Sequence, residues 1–155
     1  MDHAMEQALA AFERGEYAKA LAIWREFAAQ GSATAMKWLG VMYESGKGVS
    51  TDLNEAFRWY KRAAEAGNTV AQNNLGIMYE HGKGVECCDT EAARWYRVSA
   101  EQGDAFGKFL WGLMLLQGKG VSCDTEKGWR LIAEAAQQGN PEAQVNLGVR
   151  FAVGD

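Results

Sequence analysis

The chain has 155 residues, a formal net charge of −4 and 48% apolar side chains, enough for a continuous core within one domain's length. Charges of both signs are interspersed and no basic patch is present to neutralise phosphates, which excludes nucleic acid and anionic membrane as principal partners. The start, MDHAMEQALAAF, lacks the basic region and long apolar core of a secretory signal, and no 18-residue apolar run occurs, so the expected setting is the cytoplasm unless a leader was removed beforehand.

Residues 2–31 read as a short tetratricopeptide-like hairpin. Ala8, Leu9 and Phe12 put an apolar stripe on its first helix; Ala20, Ile23, Trp24 and Phe27 do so on its second, with Gly15-Glu16 turning between them. Three units of 36 residues follow, at 32–67, 68–103 and 104–139. The first two are identical at 18 of 36 positions without a gap, and the third is a weaker copy. Internal repetition fixes the architecture, since units that cannot bury their own apolar face must stack on their neighbours. The expected fold is all-α, a right-handed α/α superhelix of antiparallel helix pairs, forming one repeat domain over 1–155.

Within each unit the first helix (helix A) carries an apolar face at Ala35, Leu39, Met42 and Tyr43, repeated as Ala71, Leu75, Met78 and Tyr79. Gly40, Gly76, Gly112 and Gly148 sit in mid-helix, where glycine costs about 1 kcal/mol against alanine. Close approach of the second helix (helix B) with its bulky Trp59, Tyr60, Trp95 and Tyr96 accounts for them. Helix A stops at Gly46, Gly82 and Gly118, each opening a fixed GKGV. Asp52 with Glu55 reads as a capping box for helix B and Asp124 holds the same column; Cys88 breaks it in the middle unit, where Asp89 is expected to cap one residue later. Helix B ends at Gly67, Gly103 and Gly139, followed by Asn68, Asp104 and Asn140 as caps for the next helix A, and Pro141 falls at a first helical position. Residues 140–155 make a helix A without its helix B, ending at Gly154. Val145, Leu147, Val149, Phe151 and Val153 are too apolar for a wet outer face, so a longer array cut at this point is expected.

The pattern A-x-x-x-LG-x-x-Y, then GKGV-x-x-D, then EAxRWYxxAAxxG stands as Ala71, Leu75, Gly76 and Tyr79; Gly82 to Val85; Glu91, Ala92, Arg94, Trp95, Tyr96, Ala100 and Gly103. It resembles the Sel-one-like repeat, a longer-looped relative of the tetratricopeptide repeat, over about residues 32–155. The third unit departs from the pattern with Trp111 and Leu115 on helix A and Leu131-Ile132 for Trp-Tyr, swaps that remain large and apolar. The resemblance implies a non-enzymatic adaptor or scaffold, of the kind that assembles signalling, quality-control and, in bacteria, host-contact complexes.

Chemical readings are weak. Gly40 to Lys47 faintly suggests a phosphate loop, but its spacing is too long by one, Gly48 stands where Ser or Thr must bind magnesium, and helix precedes the glycines. His3 and His81 lie in different units, and Cys87 and Cys88 near His81 form no established ligand spacing, so no metal or other cofactor is expected. Cys87 and Cys123 recur one period apart, where stacked loops stand about 8–10 Å from each other, beyond disulfide reach; reduced thiols are expected. Cys123 lies beside acidic Asp124 and Glu126, unlike an activated nucleophile. A cysteine-rich secreted branch of the family is linked to penicillin binding, but its paired cysteines and any S-x-x-K are absent. Arg58, Arg94 and Arg130 share one column of helix B, and Glu55 and Glu91 are placed to pair with the first two.

By the resemblance, one edge of the helix A elements lines a concave groove. Counted from each mid-helix glycine, that edge is Lys37, Val41 and Glu44; then Asn73, Ile77, Glu80 and His81; then Phe106, Phe109, Leu113, Leu116 and Gln117. The helix from Ala105 to Leu116 is apolar nearly all round, which calls for burial on two sides. Intramolecular packing is expected to supply only one, leaving the other to a continuation of the chain or to a partner. Asn74 and Asn146 are similar to asparagines that grip peptide backbone in such grooves, whereas the lysines of a carboxylate clamp are not in place. The expected partner is a peptide or helix of another protein, anchored on the third unit and oriented by Lys37, Asn73 and Glu80. Self-association through the apolar third unit or the C-terminal face is the alternative from the structural class.

Overall fold

The computed structural model describes residues 3–153, without the side chains of Phe151 and Val153. The helix stop expected at Gly154 therefore lies outside the described residues, as do the two side chains just named. The described residues form nine helices and no strand: α1 (His3–Glu13), α2 (Tyr17–Ala29), α3 (Ala33–Ser45), α4 (Leu53–Glu65), α5 (Thr69–His81), α6 (Asp89–Glu101), α7 (Ala105–Gln117), α8 (Thr125–Gln137) and α9 (Pro141–Val153). The all-α class and its helix-pair repeats are as expected. In the repeats α3, α5 and α7 are helix A, with α4, α6 and α8 as helix B.

The helix ends follow the local chemistry. Ser32, Asp52, Asn68, Asp104, Asp124 and Asn140 each accept a hydrogen bond from a backbone N–H in the first turn of the helix they precede. The capping box at Asp52 is only half formed. Its side chain accepts from Asn54 and Glu55, but its own N–H donates to Tyr43 O at 2.9 Å, and the Glu55 carboxylate turns to Arg58 instead. Nor does Asp89 cap α6. Cys88 holds the cap position without a side-chain bond, and Asp89 is already the first helical residue.

The chain divides into two compact units, Met1–Leu75 with Lys83–Glu86 and Gly76–Gly82 with Cys87–Asp155. In the first, the small faces of α1 and α2 (Ala8, Ala11, Ala20, Ala28) let an aromatic stack form above them. Trp24 and Trp38 lie parallel at 5.0 Å, and Phe12 touches both at 5.3–5.5 Å. Leu39, Met42, Ala56, Tyr60 and Ala63 continue this core between α3 and α4.

In the second unit two clusters enclose α7. Trp111, Met114 and Leu115 pack with Ala92, Ala93, Tyr96 and Ala100 of α6. Phe109 packs with Ile132, Ala135 and Ala143, flanked by Phe106, Leu113, Leu116 and Leu147. The expectation that intramolecular packing covers only one side of α7 is thus overturned, because α8 and α9 of the same chain cover the other.

At Gly40 and Gly76 the mid-helix glycine is explained by a tyrosine and not by the tryptophan beside it. A Cβ on Gly40 would stand 2.6 Å from Tyr60 Cδ1, and one on Gly76 would run into the Tyr96 ring. On Gly112 it would stand 2.8 Å from Ile132 Cγ1 and from the Gly128 carbonyl oxygen, whereas on Gly148 it would meet nothing within 4 Å. A second close approach sits in each loop: a Cβ on Gly84 would strike the Leu53 carbonyl, and one on Gly120 the Asp89 carbonyl. The second and third GKGV loops therefore rest, backbone on backbone, on the first turn of a helix B.

These contacts predict opposite signs for one substitution. Gly40→Ala must displace a fully buried ring and should lose about 1–3 kcal/mol despite the better helix former. Gly148→Ala meets open space and should gain about 0.5–1 kcal/mol. Urea denaturation of the two variants reads both signs.

Candidate protein-interaction face

The helix A edges present their side chains in two different ways. In the first unit, Lys37 is half-buried on α3 with its Nζ 3.2 Å from the centre of the Trp38 ring. Burial lowers its pKa from 10.5 to about 8, with no carboxylate to offset the loss of water. Val41 and Glu44 complete the edge, both half-buried, and Glu44 Oε2 accepts a hydrogen bond from Tyr60 Oη at 2.8 Å. Asn73 of α5 is only 3% exposed and so stands inside the packing, not on its rim. Burial and the Glu44 charge together raise the Tyr60 phenol.

In the second unit, Glu80 accepts from Tyr96 Oη at 2.8 Å and from Lys119 Nζ at 2.9 Å. Lys119 also lies 3.4 Å from Asp89 Oδ1. Burial alone would raise the Glu80 carboxyl; the Lys119 ammonium and the Tyr96 hydroxyl outweigh it and hold Glu80 below the ordinary carboxylate range. Lys119 is raised in return, first by its hydrogen bond to Glu80. Ile77 packs against the α6–α7 cluster, and His81 is exposed with its Nδ1 3.0 Å from the Ile77 carbonyl.

Of the apolar residues assigned to this edge on α7, Phe109 is buried and Phe106, Leu113 and Leu116 are half-buried. Phe109 is 6% exposed inside the α8–α9 cluster, its ring 6.3 Å from that of Phe106, and Leu113 and Leu116 pack against the same cluster. Gln117 is exposed. A rim remains at Lys37, Val41 and Glu44 in one unit and at Glu80, His81 and Gln117 in the other, while Phe109 is in the core and Phe106 packs half-buried against it. On the outer face, the expected pairs Arg58–Glu55 and Arg94–Glu91 form at 2.6 and 3.0 Å. Cys87, Cys88 and Cys123 are free thiols. Among the described residues no helix is long and apolar enough to cross a membrane, and no group of three or more His, Cys, Asp or Glu side chains is placed to share a metal ion.

Sequence reasoning missed the two tyrosine hydroxyls and Lys119. A signal for the first was available: Glu44–Tyr60 and Glu80–Tyr96 share a spacing of sixteen, and both members turn apolar together at Leu116 and Ile132.

Two pH effects follow, with opposite origins. The folded carboxyl of Glu80 sits below its unfolded value, so its contribution is present above the ordinary carboxylate range and is lost as pH falls through the folded value. Glu80→Gln should flatten that acid limb. Lys37 titrates near 8 when folded, so stability should rise with pH from about 8 to the unfolded value of 10.5, and Lys37→Met, which keeps the apolar stem, should abolish the rise. Urea midpoints measured across pH read both limbs.

Comparison with known proteins places this geometry in a family. The Sel1 repeat model matches residues 33–68, 69–104 and 105–140. The chain is similar to the crystal structure of c5321, a protective antigen of uropathogenic Escherichia coli strains displaying an SLR fold, at 39% identity and TM-score 0.80, over 86% of this chain and 28% of that one. It is similar to a Sel1 repeat protein from Oxalobacter formigenes at 35% identity and TM-score 0.89, over 97% of this chain and 62% of the other. The cysteine rich protein B of Helicobacter pylori, at 23% identity and TM-score 0.62 over 81% of this chain and 93% of its own, shares the fold. No curated protein matches the sequence. The chain spans less than two thirds of the length of the first two relatives. With its three consecutive units matched, the chain belongs to the Sel1 repeat family.

Proposed function

We propose that this chain, built of repeats that are generally protein-interaction modules, is a non-enzymatic adaptor that holds a peptide or helix of another protein against a helix A rim within a unit: Lys37, Val41 and Glu44 form such a rim in one unit, and Glu80, His81 and Gln117 form one in the other. Asn73 and Phe109 are buried, and Ile77, Phe106, Leu113 and Leu116 are half-buried against the core clusters. The observation that carries this reading is Lys37. A half-buried ammonium whose only partner is an aromatic ring costs folding free energy, and a face that met nothing but water would be more stable with a neutral side chain there. Selection of a displayed random-peptide library on the purified chain, followed by hydrogen exchange, tests the reading. Bound peptide should slow exchange in α3, α5 and α7 more than in α4, α6 and α8; protection centred on the helix B elements, or no binder at all, would overturn it.

A second reading, self-association through α9, is favoured by the exposure of Val145 at 65% and Val149 at 58%. Sedimentation over a wide concentration range should then show a dimer that Val149→Glu disperses, whereas a constant monomer mass removes this reading.

A further inference from the structure

Glu44 and Glu80 hold the same position in successive units, and each takes a hydroxyl from the tyrosine sixteen residues on. They differ in the cation. Glu80 is neutralised by Lys119, which Asp89 steadies from the other side. One period earlier the lysine is Lys83, which is exposed, and the place of Asp89 is taken by Leu53, which cannot hold it. Among the described residues, no lysine or arginine forms an ion pair with Glu44, and none of the acidic side chains forms one with Lys37. Both charges lie on α3, seven residues apart, which is about 10 Å along the axis. Val41 stands between them, half-buried.

We propose that the Lys37–Val41–Glu44 edge recognises a protein segment of complementary polarity, with an acidic side chain set on Lys37, an apolar one over Val41 and a lysine or arginine on Glu44. This rests on the adaptor reading and names the chemistry of the partner at that edge. The basic side chain would do at Glu44 what Lys119 does at Glu80, adding a charge-assisted bond to a carboxylate already oriented by tyrosine. The acidic one would give the half-buried Lys37 the counter-ion that none of the described acidic side chains provides. Polyanions such as nucleic acid or an acidic membrane satisfy Lys37 but are repelled at Glu44. The order of the two charges also fixes the direction in which the segment lies.

The test uses short fluorescein-labelled peptides carrying one Glu and one Lys with leucine between them. The charges are separated by four residues, about 13 Å in an extended chain where both face the same side, or by seven, about 10 Å in a helix. Both charge orders are made, with Glu-only and Lys-only controls, and binding is read by fluorescence anisotropy. A bipolar peptide should bind the wild type on the order of tenfold tighter than either control. One charge order should be preferred, and the double variant Lys37→Glu/Glu44→Lys should prefer the opposite order. The neutral pair Lys37→Met/Glu44→Gln, which keeps the stem over Trp38 and the bond from Tyr60, should lose the preference; it carries the test if the reversed variant melts early by circular dichroism. Bipolar peptides that bind no better than the controls, or a charge order unchanged by the swap, would overturn the proposal. If the library selection yields helix A binders that ignore the swap, only the polarity assignment falls; if it yields no binder, the adaptor reading falls with it.

Discussion

The helix pairs are set by a missing side chain. At Gly40 and Gly76 the bare backbone admits a tyrosine ring from helix B, which brings the two helices closer than any Cβ would allow. The ring is buried, but its hydroxyl is not lost to the core. It emerges at the helix A edge and orients Glu44 or Glu80. One contact therefore serves both packing and surface. Where the ring is replaced by Ile132 at Gly112, the edge residue is replaced too, by Leu116, because a carboxylate with no hydroxyl to meet would be left against an apolar wall.

This coupling divides the chain into two kinds of edge. On α3 and at the end of α5 the edge is polar and organised from behind; on α7 it is apolar and sealed by α8 and α9. Within the polar kind, Glu80 has its charge balanced by Lys119, while Lys37 and Glu44 are held in place without counter-ions. Structural symmetry between repeats thus coexists with electrostatic asymmetry, and where Asp89 meets Lys119 in one repeat, Leu53 stands at the equivalent position of the repeat before it.

The fold was legible because it is written more than once. A period of 36, glycines at every helix end and caps directly after them leave little freedom, and the helices begin and end where these residues stand. The exceptions were local competitions. Glu55 has both the Asp52 backbone and Arg58 within reach and takes the charge; Asp89 could cap but enters the helix and faces Lys119. The edge was less legible, because amphipathicity says that a helix is buried on two sides and not what buries it. Phe109 looked like an anchor for a partner and is instead covered by Ala143 of α9, a contact between helices that periodicity alone does not specify. The Tyr–Glu pairs could have been found by comparing units with one another, since both members change together, but a hydroxyl reaching from one helix to the next has no signature within either helix.

The loops carry a different consequence. Gly84 rests on the Leu53 carbonyl and Gly120 on that of Asp89, so the seat of each of these two loops is gauged by main chain against main chain. Such a gauge is indifferent to side-chain identity, which is why the third unit could trade its tyrosine, tryptophan and glutamate for aliphatic residues and keep the same helix lengths. It is intolerant of length: one residue added to the loop would lift the glycine off its seat. Change in a chain built this way proceeds freely by substitution within a unit, and by gain or loss only in whole units.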